Sequence, residues 1–338
     1  MFSKLYEKIK DYLKENYKFI LFEIFVILIL IIPLPYYVNT TGGIINVDKY
    51  ISVKEKNPSK GSYNLAYVSS YRATLPTYLL TYIMPNWDLE NIENYTYNND
   101  EDASDISSRG KLELTTANNA AIEVAYDKAN KTYEITNSYY NVVYIDKEAE
   151  TTLKVGDMIL EFDGKKLSNL EEYSKYITDK DIGYTLKMKV KRKDKEVNAT
   201  AKVVNIEGQK MIGLSIYKTF DYNTNPDIDI NFSRSEEGPS GGFMTALAIY
   251  DKLIDKDLTH GLKIVGTGTI DSEGNVGTID GVKYKLRGAV KHKADIFFVP
   301  SGSNYNEAIK LKKKYNYKIK VIKVKRIDDA INYLDDIK

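Results

Sequence analysis

The stretch EGPSGG, residues 237–242, sets Ser240 between Pro239 and two glycines. The run that follows, GGFMTALAIYDKLID, spaces Phe243, Leu247, Tyr250 and Ile254 as one helical face, so Ser240 falls where a strand gives way to a buried helix. Two roles are open to a serine there. It can cap the helix, since serine is a favoured N-cap and Gly-Pro-Ser-Gly-Gly suits a turn. It can also be a nucleophile, because unpaired amides at a helix start and the small Gly241 and Gly242 let an oxyanion approach the backbone.

A serine nucleophile needs a base. The chain has no cysteine and two histidines, His260 and His292, which excludes disulfides and leaves too few soft ligands for a typical zinc site. No metal is expected. His292 as the base of a Ser-His-Asp triad is the weaker option, because it stands at a lysine-rich helix end. Lysine is the stronger candidate. Residues 279–300, IDGVKYKLRGAVKHKADIFFVP, read as a helix and a buried strand, with Val282, Leu286, Ala289 and Val290 as the apolar stripe. On a helical wheel Lys285 lies about 60° from Val282 and about 40° from Ala289, whereas Lys283 leans toward Arg287 and solvent. To act as a base near neutrality, Lys285 must lower its pKa from roughly 10.4 to about 7 or 8, roughly 4 kcal/mol of differential solvation, which burial can supply.

EGPSGG, GTGTIDSEGNVGTIDGVKYK and ADIFFVP together resemble the proteolytic domain of Lon, a Ser-Lys peptidase. Carried over residue by residue, the resemblance puts the serine at Ser240 and the lysine, fourth after Gly281, at Lys285. It puts the threonine that supports the lysine amine at Thr267, and makes Gly238, Pro239 and Gly241 the supporting turn. Gly241 replaces the usual alanine, and Asp280 stands where glycine is common. The chain has no G-x-x-x-x-G-K-(S/T) phosphate loop, so neither nucleotide nor any other cofactor is expected and the peptidase should work without ATP.

The elements that must position these residues are read from the rest of the chain. At 338 residues, 43% apolar and 28% charged, it is globular and long enough for two or three domains. Forty-eight basic against 47 acidic side chains leave a net charge of +1, which gives no field favouring nucleic acid. Residues 19–38, FILFEIFVILILIIPLPYYV, carry a single charge, Glu23, and predict a transmembrane anchor in the lipid bilayer. Five lysines precede it and one follows closely, so the lysine bias predicts a cytoplasmic tail over 1–18 and extracytoplasmic C-terminal domains. Residues 39–133 form a mixed α/β segment, with a strand at 63–70, a short helix at 76–85, an acidic loop at 98–110 and a connecting helix at 115–131.

In residues 134–205, Leu153, Lys154, Gly156, Asp157, Ile159, Leu160, Asp163 and Gly164 resemble the PDZ signature L-x-x-G-D-x-I-L-x-x-(N/D)-G. YYNVVYID, residues 139–146, reads as a strand. PDZ domains bind an extended peptide as an added strand, and the resemblance places the carboxylate-binding loop at Asn141, Val142, Val143 and Tyr144. Asn141-Val142 stand where such loops usually carry a glycine. Residues 206–338 make the Lon-like domain, opening with the strand-like MIGLSIY.

The expected fold class is α+β: a transmembrane helix, a mixed α/β ectodomain segment, a PDZ-like partly open β-barrel with helices, and a Lon-type proteolytic α/β domain. Anchor, PDZ-like and Lon-like parts in this order are similar to the membrane-anchored PDZ-containing Lon-like proteases of Gram-positive bacteria. That resemblance implies a serine endopeptidase acting on peptides or small proteins at the outer face of a membrane. A non-catalytic, PDZ-type peptide-binding scaffold is the alternative. Lon domains often assemble in rings, so the resemblance allows a homo-oligomer, whose number no coiled coil or repeat sets.

Overall fold

A computed structural model of the chain describes residues 2–54, 59–97, 101–166, 168–232 and 236–337. In chain order its elements begin α1 (Phe2–Ile31), β1 (Tyr36–Asn46), β2 (Ile51–Val53), β3 (Ser62–Arg72), α2 (Leu75–Leu80), β4 (Asp88–Asn91) and α3 (Ala103–Lys128). There follow β5 (Thr132–Ile145), β6 (Met158–Phe162), β7 (Lys165–Lys166), α4 (Leu170–Thr178), β8 (Thr185–Arg192), β9 (Lys195–Lys202), β10 (Val204–Ile206), β11 (Gln209–Met211) and β12 (Leu214–Asn225). The chain ends with β13 (Ile228–Ile230), α5 (Gly242–Leu253), β14 (Lys263–Gly266), β15 (Thr269–Ile270), β16 (Val276–Gly277), α6 (Val282–Lys291), β17 (Ile296–Pro300), α7 (Ser303–Lys314), β18 (Lys320–Val324) and α8 (Ile327–Asp335). It divides into two compact units, Met1–Thr41 with Ser69–Asn94, and Gly42–Val68 with Tyr95–Lys338.

In the smaller unit the N-terminal part of β1 pairs antiparallel with β4, Tyr36 opposite Asn91. Here the sequence expectation of a transmembrane anchor is corrected. Helix α1 stops at Ile31, ahead of Pro33 and Pro35, and the chain is extended from Tyr36 onward. Proline removes a helical donor and restricts the residue before it, so the apolar run 19–38 is split between a helix and a strand. Its helical part, residues 19–31, rises roughly 20 Å at 1.5 Å per residue, against roughly 30 Å of hydrocarbon. Among the described residues no helix is long and apolar enough to cross a membrane. The expected single-pass orientation, with the C-terminal domains outside, loses its basis with the anchor.

In the larger unit β3, β14, β17 and β18 form a parallel sheet, with Gly266 level with Leu65 on one side and Phe298 on the other. Strands buried on both faces read as unbroken apolar runs, which is why IFFVP has no alternation. Leu65, Ile264, Ile296 and Phe298 face Ala121 and Val124 of α3, Phe243 and Leu247 of α5 and Ile327 of α8. Ala66, Val265, Phe297 and Val299 face the opposite way, onto Val282, Leu286 and Ala289 of α6 and Ala308 of α7. The result is a mixed α/β architecture with helices on both faces of the sheet.

The same unit holds a second sheet, in the order β12-β5-β6-β8-β9 with β7 on β6. Val142, Ile159, Leu186, Met188 and Val190 line its core, closed by Tyr173 and Ile177 at (i, i+4) spacing on α4. The LSIY part of the MIGLSIY run opens β12, which pairs with β5 in this sheet. Helix α3 starts earlier than the sequence suggests. Of the expected acidic loop 98–110, residues 98–100 lie outside the described residues, and the part from Ala103 is helical. Asp102 is its N-cap, accepting from the N–H groups of Ser104 at 2.6 Å and Asp105 at 3.0 Å.

Candidate active site

A helix joining two parallel strands must run back along the sheet, so α6, between β14 and β17, begins at the carboxyl end of the strands. Helix α5 begins at that end as well: the Gly268 N–H, just past β14, donates to the Ser240 carbonyl at 2.8 Å, and the Phe243 N–H donates back to the Gly268 carbonyl at 3.1 Å. Ser240, ahead of α5, and Lys285, in the first turn of α6, therefore belong to one end of the sheet. Open α/β sheets place their ligand sites at this end.

The capping role considered for Ser240 is not the one it has. The N-cap of α5 is Gly241, and no side chain caps the helix. Among the described residues the Ser240 hydroxyl has no hydrogen-bond partner. The side chain is half-buried, and among the described residues the N–H groups of Ser240 and Gly241 make no backbone hydrogen bond, in contrast to Gly242, which donates to the Pro239 carbonyl at 3.1 Å.

Lys285 is 5% exposed, on the face of α6 that carries Val282, Leu286 and Ala289. Burial pulls its pKa from 10.5 down to about 8, against the opposing pull of the Asp280 carboxylate. No hydrogen bond or ion pair engages its amine among the described residues. Lys283 instead lies over the Tyr284 ring, 4.8 Å from its centroid. Gly281 caps α6 in the left-handed region, φ +74°, and a Cβ there would lie 2.7 Å from Val68, so the start of the lysine helix requires glycine. His292 is exposed at the opposite end of α6, which removes it as a partner for Ser240.

Thr267 is fully buried, and its hydroxyl donates to the Ser240 carbonyl at 3.1 Å. The group it holds is the serine backbone, whereas the resemblance assigned it to the lysine amine. Gly238 donates its N–H to the Gly110 carbonyl of α3 at 2.8 Å, and the neighbouring Glu237 accepts from the Ser107 hydroxyl at 2.5 Å. Helix α3 is thus a support of the serine turn that the sequence did not reveal. It also walls an open cleft of about 390 Å³, in which Glu113, Ala117 and Glu123 face Pro239 and Ile270 on one side and Tyr217 and Phe220 of β12 on the other.

The four residues expected to form a carboxylate-binding loop lie within a strand. Asn141, Val142, Val143 and Tyr144 lie inside β5, where Ser215 opposes Tyr144, Ile216 opposes Val142 and Tyr217 opposes Asn141. The Val142 N–H is bound to the Asp157 carbonyl at 2.9 Å, and the first three side chains are buried. Asn141 is paired with β12 on one side and β6 on the other, and Val143 is skipped in the register with β12. The open groove, about 240 Å³, lies instead between Tyr173, Ser174 and Ile177 of α4 and Gly213, Leu214 and Ile216 at the start of β12. Its sequence signal is the glycine in MIGLSIY, which adopts φ +68° just before the strand.

Residues 124–203 match the family model of the PDZ domain, and residues 201–334 match that of the Lon protease (S16) C-terminal proteolytic domain. The chain carries a PDZ domain followed by a serine-peptidase domain of the S16 type. Among solved structures it is similar to the PDZ domain of an SdrC-like protein from Listeria monocytogenes, with 28% identity over 25% of this chain and 92% of that one and a TM-score of 0.23. The PDZ domain of an SdrC-like protein from Listeria innocua is similar at 29% identity, over 23% of this chain and 93% of that one, with a TM-score of 0.22. No curated protein matches the chain.

Proposed function

We propose that the chain is an ATP-independent endopeptidase in which Ser240 is the nucleophile and Lys285 the general base. The Ser240 oxygen adds to the substrate carbonyl carbon while its proton passes to the Lys285 amine. The N–H groups of Ser240 and Gly241 then hold the oxyanion. Collapse expels the leaving amine with the proton from Lys285 and leaves an acyl-enzyme, which water hydrolyses by the same route. The observation that carries this reading is a buried lysine, with no hydrogen-bond partner among the described residues, whose pKa is drawn down to about 8. The groove between α4 and β12 supports a second, non-catalytic task, the capture of an extended peptide as an added strand.

The test is cleavage of a peptide library by the wild type, Ser240→Ala and Lys285→Ala, each confirmed folded by circular dichroism. Both variants are expected at background. Wild-type rates in either variant would refute the assignment, and no cleavage by the wild type would leave the peptide-binding scaffold.

A further inference from the structure

The cleft walled by α3 lies against the serine turn both before and after Ser240. Pro239, the residue ahead of the serine, lines it. Ala117 and Ile270, which also line it, flank Gly242, where a Cβ would lie 3.1 Å from each. Consecutive Cα atoms are about 3.8 Å apart, so a peptide whose carbonyl carbon meets Ser240 can extend a side chain into the cleft from a residue within about two of the bond cut.

Most of the charged groups that line this cleft among the described residues are engaged. Glu123 accepts from the Tyr222 hydroxyl at 2.7 Å. Both carboxylate oxygens of Asp271 accept from Asn275, at 2.7 Å from its backbone N–H and 2.8 Å from its side-chain amide. The Lys218 amine lies over the Phe220 and Tyr140 rings, 5.0 and 5.7 Å from their centroids. Glu113 differs: it is half-buried, and among the described residues it makes no hydrogen bond or ion pair. Burial pushes its carboxyl above the ordinary range, against the pull of the Arg109 guanidinium, which is itself spent on Glu101, Val143 and Tyr95. Tyr217 lines the same cleft, and burial, then the Glu113 carboxylate, raises its pKa, so the two side chains stand near each other. Among the described residues Tyr217 likewise has no side-chain hydrogen bond and no ring contact.

We infer that the cleft takes a lysine or arginine side chain of the substrate, and that Glu113 selects it. This rests on the peptidase reading and adds a substrate class. A long basic side chain matches both parts of the cleft. Its methylene stem lies on Ala117, Ala120, Pro239 and Ile270, and its cationic head reaches a carboxylate that has no counter-ion, beside an aromatic ring. A half-buried carboxylate is costly while alone, and a cation that arrives with its own hydrogen-bond donors offsets that cost. A leucine side chain would cover the apolar walls and leave Glu113 unpaired, and a glutamate would bring two like charges together. Lys218, held over its two rings, leaves the Glu113 carboxylate to the substrate.

The experiment uses the full chain and a mixture of unstructured peptides of varied sequence, with the bonds cut read by mass spectrometry. The expected result is enrichment of lysine or arginine at one fixed position within about two residues of the bond. A peptide that is cut is then remade with norleucine or glutamate at that position, and both are expected to be cut at least tenfold more slowly than the lysine form. In Glu113→Gln the preference for lysine over norleucine should fall to less than about threefold, and in Glu113→Lys the glutamate peptide should be cut faster than the lysine peptide. Each comparison is a ratio within one variant, so a general loss of activity through packing does not move it. Wild-type cuts without basic enrichment, or a preference for lysine that keeps its wild-type size in both variants, would overturn the inference and leave the serine peptidase standing. Cutting by wild type no faster than by Ser240→Ala would overturn the peptidase reading and this inference with it.

Discussion

The Thr267 hydroxyl and the Gly268 N–H donate to one and the same acceptor, the carbonyl of Ser240, at 3.1 and 2.8 Å. Two donors on a single carbonyl fix the peptide plane from which the serine side chain projects. Thr267→Val keeps the shape of this buried residue and removes one donor. A lost hydrogen bond of this kind costs about 1 kcal/mol of stability. Because Thr267 positions the serine without touching substrate, the expected change is a fall of about tenfold in kcat with KM unchanged. Thr267→Ser is expected to restore most of the rate; a fall in Thr267→Ser equal to that in Thr267→Val would assign the effect to packing.

Lys285 makes stability depend on pH. Unfolded, its amine holds a proton up to about 10.5; folded, it releases the proton near 8. Between these values the unfolded chain binds more protons, so stability rises as pH rises through this window, and the cost of burying the charge is felt in full below pH 8. A pKa lowered to about 8 corresponds to about 3 kcal/mol. Lys285→Met is therefore expected to be more stable than wild type by about that amount at pH 7, with the gap closing toward pH 10.5. Urea denaturation at both pH values measures it.

Arg109 ties α3 to the PDZ sheet. Its guanidinium donates to the Val143 carbonyl at 3.0 Å, pairs with Glu101 and lies over the Tyr97 ring at 4.4 Å. Its side chain is 7% exposed and that of Glu101 is 3% exposed. Arg109→Met leaves a buried carboxylate without its counter-ion and is expected to destabilise the fold by about 3 kcal/mol or more. Adding Glu101→Gln should recover part of the loss. A double variant no more stable than the single one would contradict the pairing.

Asn119→Ala removes both bonds from α3 to Phe220 and is expected to cost about 2 kcal/mol. Hydrogen exchange at the Phe220 amide should accelerate at least tenfold, while that at Val142, bound inside the sheet, should stay at the wild-type rate.

The parts of the site that were legible in the sequence are those whose signal is local. The apolar stripe of α6 separates Lys285 from Lys283 by angle alone, and the turn chemistry around Ser240 announces a helix start. What was not legible depended on partners far along the chain. Nothing near Ser240 indicates that Gly110 and Ser107 hold its turn. The strand at 139–146 was legible from its apolar run, but that it pairs with β12, some seventy residues later, was not. The apolar run 19–38 misled for a different reason: composition counts residues, whereas a membrane span needs them in one unbroken helix, and Pro33 and Pro35 divide the run. Ser240 shows a further limit, since a serine at a helix start predicts a cap equally well, and only the placement of the cap on Gly241 leaves its hydroxyl without a hydrogen bond among the described residues.

The most direct measurement is the pH dependence of peptide cleavage by wild type and Lys285→Arg, both confirmed folded. Arginine keeps the positive charge and cannot release a proton in this range. The wild-type rate should rise with pH to a plateau, with its midpoint near 8, and Lys285→Arg should stay at background from pH 6 to 10. A Lys285→Arg enzyme that follows the wild-type profile would contradict Lys285 as the base that activates Ser240.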